Sequence, residues 1–389
     1  METKDFRTKT IFQDRKNISV NDVWEIALDI GYSAVKVFAP NGYYSFPSFA
    51  LKMEEGQEKI GQTNYSDILY KDLNTGEIWS VGALAQDVMR TEDTTESMNT
   101  LYTRYRYTSK IFEVITSVGL GMGLMNNKFG ISDGKDIIVQ TGLPSKYKKA
   151  DTNDLICAIA KKYNFALKVG NKDWINFNFE VKNSNVFVME QPKGTLLSIS
   201  TDNNGKIIPE TKEYLSSTLL IMDPGFGTLD TFNIVSGMLD NDETFPDLGM
   251  KEVLRETSDE IFNKYNREIP VPAMQKYLET GKINYFNKEL MKSDYYNFEE
   301  ILQKANENVC SNAIEKIKST YNYLMNHNYL VITGGTGAAW YNQIKDHFKD
   351  MNTLKIIAGN QNDNIPFIFS NVRGYYMAMY NKLIKRNGK

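Results

Sequence analysis

The sequence predicts an α/β protein made of two related halves that flank a cleft. Three observations carry this. An apolar strand that ends in an acid, followed by a glycine turn and a second β-like run, occurs twice, at residues 23–39 and 218–235. A third apolar strand, residues 329–333 (YLVIT), runs into Gly334-Gly335-Thr336-Gly337. Between these segments strands alternate with helical patterns, the signature of an α/β architecture, and an internal repeat outweighs any single motif. At 389 residues the chain also exceeds what one hydrophobic core organises, so two domains are expected.

In chain order, residues 1–22 form a polar leader that precedes the first strand. Its mixture of acids and bases, with no apolar h-region, is neither a secretory signal nor an anchor. Residues 23–200 are expected to form domain I, completed by a C-terminal helix within 358–389, and residues 201–357 domain II. Residues 23–29 (VWEIALD) and 34–39 read as a hairpin with a tight turn at 30–33. A strand passing into a helix is expected at 78–88, and a helix over 103–124. Residues 136–141 (DIIVQT) form a buried strand that stops at Gly142-Leu143-Pro144. Residues 151–163 then read as a helix with Asp151 as its N-cap. A short strand follows at 185–190, and the polar, turn-rich stretch 200–210 is the natural crossing between halves. Helical patterns recur at 249–263 and 298–324.

Hydrophobic residues make up 41% and charged residues 24%, the usage of an ordinary globular protein. A net charge of −3 gives no global reason to bind nucleic acid directly, so any link to DNA runs through a partner. Cys157 and Cys310 lie far apart in no metal or redox spacing and read as buried small residues in a reducing cytosol. With only two histidines, His327 and His347, no histidine-built metal site is expected. No apolar run approaches the ~20 residues of a spanning helix, so no membrane association is expected. Arg104 and Arg106 alternate with Tyr102, Tyr105 and Tyr107; a polar helix face or a filament contact is favoured over a nucleic-acid stacking surface. Lys146, Lys148 and Lys149 are expected on a solvated loop. The basic tail is expected to pack Tyr375, Met379 and Leu383 on the first domain rather than to dock on a membrane.

Glycine turns after strands expose backbone N–H groups that cradle phosphates. Asp29 and Asp223, each at a strand's last position, sit where carboxylates hold the water shell of Mg²⁺. These segments resemble the two phosphate motifs and the adenosine motif of the actin superfamily, whose ribonuclease H-like duplicated fold closes on ATP, or GTP, with Mg²⁺. The resemblance implies roles residue by residue. Asp29, Gly31, Tyr32, Ser33 and Lys36 match the first phosphate loop, with Lys36 on the β- and γ-phosphates. Asp223, Gly225, Phe226, Gly227 and Thr228 match the second, where Pro224 removes a donor and leaves the amides of 225–228 as phosphate ligands. Gly334, Gly335 and Thr336 resemble the adenosine loop, and Gly249 the segment that meets the ribose. Alignment on Gln191-Pro192 makes Gln191 the residue that orients the attacking water. Glu190 is the second choice, because related proteins use either amide or acid there.

Three further stretches, Thr141-Gly142-Leu143-Pro144, Ser80-Val81-Gly82 and Phe369-Ser370-Asn371-Val372-Arg373-Gly374, look most like the ParM-type plasmid-segregation actins. That resemblance implies a cytoplasmic ATPase that assembles with itself into filaments and reaches plasmid DNA through a DNA-binding adaptor protein. Two other members of the superfamily compete with it: a sugar-type small-molecule kinase, and a membrane-associated shape or division actin.

Overall fold

The computed structural model describes residues 2–54, 56, 63–89, 103–287 and 291–387. Its first half contains β1 (Ile11–Asp14), β2 (Val23–Ile30), β3 (Ala34–Ala39), β4 (Gly42–Pro47), β5 (Ala50–Lys52), β6 (Ile68–Asp72) and β7 (Ile78–Val81). Helices α1 (Ala83–Val88) and α2 (Lys110–Leu124) follow, then β8 (Asp136–Leu143), α3 (Ser145–Ile159), β9 (Lys162–Val169), β10 (Ile175–Glu180), β11 (Val186–Glu190) and α4 (Gln191–Ser200). The second half begins with α5 (Thr211–Ser216), β12 (Thr218–Pro224), β13 (Thr228–Val235) and β14 (Met238–Pro246). It continues through α6 (Met250–Tyr265), α7 (Val271–Leu278), β15 (Lys282–Asn287), β16 (Lys292–Asn297) and α8 (Glu299–Thr320). The chain ends with β17 (Tyr329–Ile332), α9 (Gly335–His347), β18 (Lys355–Ala358) and α10 (Ser370–Asn387).

The duplication is visible in strand order. One main sheet runs β1-β4-β3-β2-β8-β11 and the other β14-β13-β12-β17-β18. Without β1 the two coincide: an antiparallel meander of three strands joined to two parallel strands. The central strands β2 and β12 are buried along almost their whole length, which is why they read as mostly apolar runs, broken only by the buried acids Glu25, Asp29 and Asp223, rather than as alternating ones. A second sheet, β10-β9-β6-β7-β5, belongs to the first half, and the hairpin β15-β16 to the second.

The last helix returns to the first half as expected, burying Tyr375, Met379 and Leu383 against its main sheet. It also crosses α4 at backbone distance. A Cβ on Gly374 would stand 1.7 Å from the Gly194 carbonyl oxygen, so only glycine fits there. Gly374→Ala is therefore expected to push α10 off α4 and destabilise the protein by at least about 1–3 kcal/mol, read as a lower urea midpoint. One residue earlier, the fully buried Arg373 binds Asp363 at 3.1 Å and donates to the carbonyls of Ser198 and Thr201 and to Asn203. Arg15 grips the same Asp363 through both carboxylate oxygens. Burial alone would raise the Asp363 pKa, but the two arginines hold it below the ordinary carboxylate value. The polar crossing after α4 is thus pinned to the C-terminal helix by one buried ion cluster.

Several expectations need correction. The leader is not outside the sheet: β1 pairs antiparallel with β4, Ile11 opposite Ser45, and is the edge strand of the first main sheet. Asp151 lies inside α3, which begins six residues earlier at Ser145 after Pro144, and residues 162 and 163 open the strand β9 rather than end the helix. Lys146, Lys148 and Lys149 consequently stand on a helix, not a loop. The pattern over 103–124 divides at Ser109, whose hydroxyl caps α2 by accepting from the Phe112 amide at 3.1 Å, after a 3₁₀ turn at Arg104–Thr108. Cys157 is exposed, while Cys310 is buried as expected.

Candidate functional site

All three glycine turns converge on one cavity of about 410 Å³ between the halves. The first turn contributes Asp29, Gly31, Tyr32, Ser33 and Lys36; the second contributes Asp223, Gly225, Phe226, Gly227 and Thr228; the third contributes Gly334, Gly335 and Thr336. The two hairpins share a register, with Asp29 opposite Lys36 in β2-β3 and Asp223 opposite Asp230 in β12-β13. In the first half the pair is an ion pair, Lys36 Nζ to Asp29 Oδ2 at 2.8 Å. In the second half both members are acids, and Asp230 is held by the hydroxyls of Thr228 (2.9 Å) and Thr244 (2.6 Å).

Asp223 is buried, and its Oδ2 accepts from Asn371 Nδ2 at 2.7 Å. Burial pushes its pKa up to about 7; Asp230 and Asp29 add to the rise, while the Asn371 amide opposes it. The third turn braces this acid from behind. Gly334 has φ +79°, and a Cβ there would stand 2.4 Å from Asp223 Oδ1, so the turn requires glycine twice over. Thr336 Oγ1 donates to the Gly225 carbonyl at 2.7 Å, tying the second and third turns together.

The amides of Gly31 and Gly225 close their own turns, onto the carbonyls of Ala34 (3.0 Å) and Thr228 (2.8 Å). Gly225 is therefore a turn former before it is a phosphate donor. Gly249, expected to meet the ribose, packs against the second turn. It stands behind the second turn, where the following amides of Met250 and Lys251 bond the carbonyls of Gly225 and Phe226; Met250 lines the cavity. A helix start is thus docked on the second turn's outer side.

The two candidates for orienting water separate clearly. Gln191 opens α4, lines the cavity and places Nε2 3.4 Å from Asp29 Oδ1. The Glu190 carboxylate instead binds Lys148 (2.8 Å) and Lys193 (3.0 Å). Burial would raise its pKa, but the two lysines outweigh that and bring it to about 2.

Two side chains at the site escaped the sequence reading. Asn371 bridges Asp223 and the Thr195 hydroxyl on α4. Arg106 is buried rather than on a polar face: its guanidinium stacks 4.4 Å from the Tyr32 ring and donates to the Ile30 carbonyl at 2.7 Å, propping the first turn from beneath. Of its companions, Tyr105 is exposed, Tyr107 half-buried, and Tyr102 lies outside the described residues. Asn371 had a signal, since it sits in the stretch FSNVRG; Arg106 had none.

Several buried acids bind their protons more tightly folded than unfolded. Asp223 rises from 3.8 to about 7, Glu25 from 4.5 to about 7, both mainly through burial, and Asp230 is raised for the same reason. These acids take up protons on folding between roughly pH 4 and 7 and outnumber His327, whose burial lowers its pKa and acts in the opposite sense, so stability falls as pH rises through that window. The ligand-free protein is expected to melt at a higher temperature at pH 5.5 than at pH 7.5, measured by scanning calorimetry. The depressed acids Asp363 and Glu190 do not oppose this, because their stabilisation is lost only as pH falls below about 4.

Residues 27–194 match the family model described as the N-terminal domain of actin like proteins. The solved structure of the pCBH ParM non-polymerisable quadruple mutant superposes with a TM-score of 0.69 at 20% identity, over 92% of this chain and 99% of that one. The chain has the actin-like fold. A 15-stranded ParM filament from Clostridium botulinum shares this fold with a TM-score of 0.67 at 19% identity, over 93% and 100% of the two chains. So does Ta0583, an archaeal actin homologue solved in complex with ADP, at 0.61 and 13% identity over 92% and 100%. No curated protein sequence matches the chain. Among the described residues, no helix is long and apolar enough to cross a membrane.

Proposed function

We propose that this actin-like chain binds ATP, or GTP, with Mg²⁺ in the cavity between its halves and hydrolyses it while assembling into filaments. The observation that carries the reading is the meeting, in one cavity, of two strand-end acids from duplicated hairpins with the Gln191 amide 3.4 Å from one of them. The donor set suits a hydrated Mg²⁺: two carboxylates, Asp29 and Asp223, near enough for one to raise the other's pKa. Bound there, the ion would neutralise phosphate charge. The protein's own part is to hold phosphates on the amides of the two turns, to supply Lys36 as their cation, and to orient water through Gln191. A glutamine positions water without being a base, so hydrolysis is slow and depends on closure and charge stabilisation.

Closure would bring together two bodies, residues 23–200 with 358–389, and residues 201–357, with β1 carried by the first. The likeness to ParM proteins, one of them solved as a filament, supports self-assembly. Plasmid segregation through a DNA-binding adaptor, in the cytoplasm, is the task that fits such a polymer. Light scattering tests the reading: it is expected to rise on addition of ATP and Mg²⁺, stay flat with EDTA, and be followed by phosphate release, with filaments in electron micrographs. Nucleotide binding and phosphorylation of a sugar without any rise in scatter would replace it by the kinase reading.

A further inference from the structure

The N-terminal segment is rooted on one half and fastened to the other. Its root is firm: β1 pairs with β4, Arg15 binds Asp363, and Asn17 Nδ2 donates to the carbonyls of Ala39 and Gly42. Upstream of that root it leaves the first half and reaches the second. The Thr8 amide donates to Gln275 Oε1 on α7 at 3.2 Å, and Thr3 is buried against Gly281. Phe6 between them is 4% exposed and belongs to the main hydrophobic core.

Arg7 sits where the flanks meet, at the contact of α1 with α7. One guanidinium nitrogen binds Asp87 on α1 at 2.5 Å and another binds Glu279, just past α7, at 2.9 Å. Side chains of this same segment, among them Phe6, Thr8, Lys9 and Ile11, line the cavity that the three turns enclose.

We propose that residues 3–11 form a strap that retains nucleotide in the cleft, holding the two flanks together until it is released from the second half. This rests on the nucleotide reading above, and adds to it a gate that the phosphate and adenosine turns do not supply. Separating α1 from α7 breaks at least one of the two Arg7 ion pairs. Because the strap is rooted on the first half, it must also give up the Thr8 bond and withdraw Phe6. The ion pairs alone are worth little at a surface; the buried ring and the shared guanidinium make the clasp cooperative. The strap therefore acts on release, not on the chemical step.

Full-length protein loaded with fluorescent ADP provides the test. Arg7→Glu and Phe6→Ala are each expected to speed ADP release by on the order of tenfold, about 1.4 kcal/mol of barrier. Glu279→Arg added to Arg7→Glu should slow it again, which a general loss of folding would not do. A second readout needs no nucleotide: spin labels at Val88→Cys and Lys276→Cys, in a Cys157→Ser background, should report a broader interflank distance in Arg7→Glu than in the parent. Unchanged release in both variants, together with unchanged distances, overturns the strap. A parent protein that fails to hold ADP overturns the nucleotide reading instead, and the distances then decide alone whether the strap clasps the flanks.

Discussion

Asp223→Ala is expected to weaken Mg-dependent nucleotide binding by at least about a hundredfold, roughly 2.7 kcal/mol, while leaving the protein folded. The two effects separate because the acid is costly to the empty protein. Asp223 is buried with a pKa raised to about 7, so above neutral pH its charge opposes folding, and its removal relieves that cost. What the substitution takes away is a carboxylate that Asn371 and the Gly334 turn hold in one orientation. Asp29→Ala should lose metal dependence similarly but with a different side effect, since Lys36 then loses its partner at 2.8 Å. That lysine becomes free to meet phosphate, so metal-free binding should be stronger in Asp29→Ala than in Asp223→Ala. Titration calorimetry with Mg²⁺ and with EDTA measures both. Wild-type affinity and wild-type metal dependence in the two variants would remove these acids from the site.

How far the sequence could lead follows from the range of each interaction. The duplicated hairpins were legible because their requirement is local: a strand end, an acid, and glycine where the turn needs it. The same holds for Gly334, whose positive φ and contact with Asp223 leave a visible Gly-Gly-Thr-Gly. By contrast, β1 is a four-residue edge strand, IFQD, with a half-exposed pattern, too short to stand out from a polar leader. The start of Ser145–Ile159 is hidden because its first turns, SKYKKA, are polar and carry no apolar stripe; the helix begins directly after Pro144. Arg106 reaches Ile30 across 76 residues and Asn371 reaches Asp223 across 148, and no local spacing encodes contacts of that range. The sequence also leaves open which of Gln191 and Glu190 faces the cavity, for a related reason: that turns on which neighbour meets the lysines of α3 and α4.

That choice yields the second large effect. Gln191→Ala should slow phosphate release by ten- to a thousandfold, about 1.4 to 4 kcal/mol of transition-state stabilisation, with nucleotide affinity nearly unchanged. Affinity is expected to survive because, in the proposed nucleotide complex, the phosphates would rest on the two turns and Lys36, whereas the amide would contribute only when water must be aimed. Filaments should still form, and if hydrolysis is what loosens subunit contacts, they should outlast wild-type filaments once free ATP is removed. Glu190→Ala is the control. Its carboxylate is committed to Lys148 and Lys193, so its loss frees two half-exposed lysines and costs at most about 1 kcal/mol of stability, with hydrolysis close to wild type. Gln191→Glu sharpens the comparison, because a carboxylate at that position would face Asp29 across the 3.4 Å now bridged by the amide, and the repulsion should weaken Mg-nucleotide binding as well as hydrolysis. Single-turnover phosphate release on the three variants distinguishes the cases. Should Glu190→Ala lose hydrolysis while Gln191→Ala keeps it, the carboxylate must leave its lysines when the cleft closes, and the water-orienting role passes to Glu190.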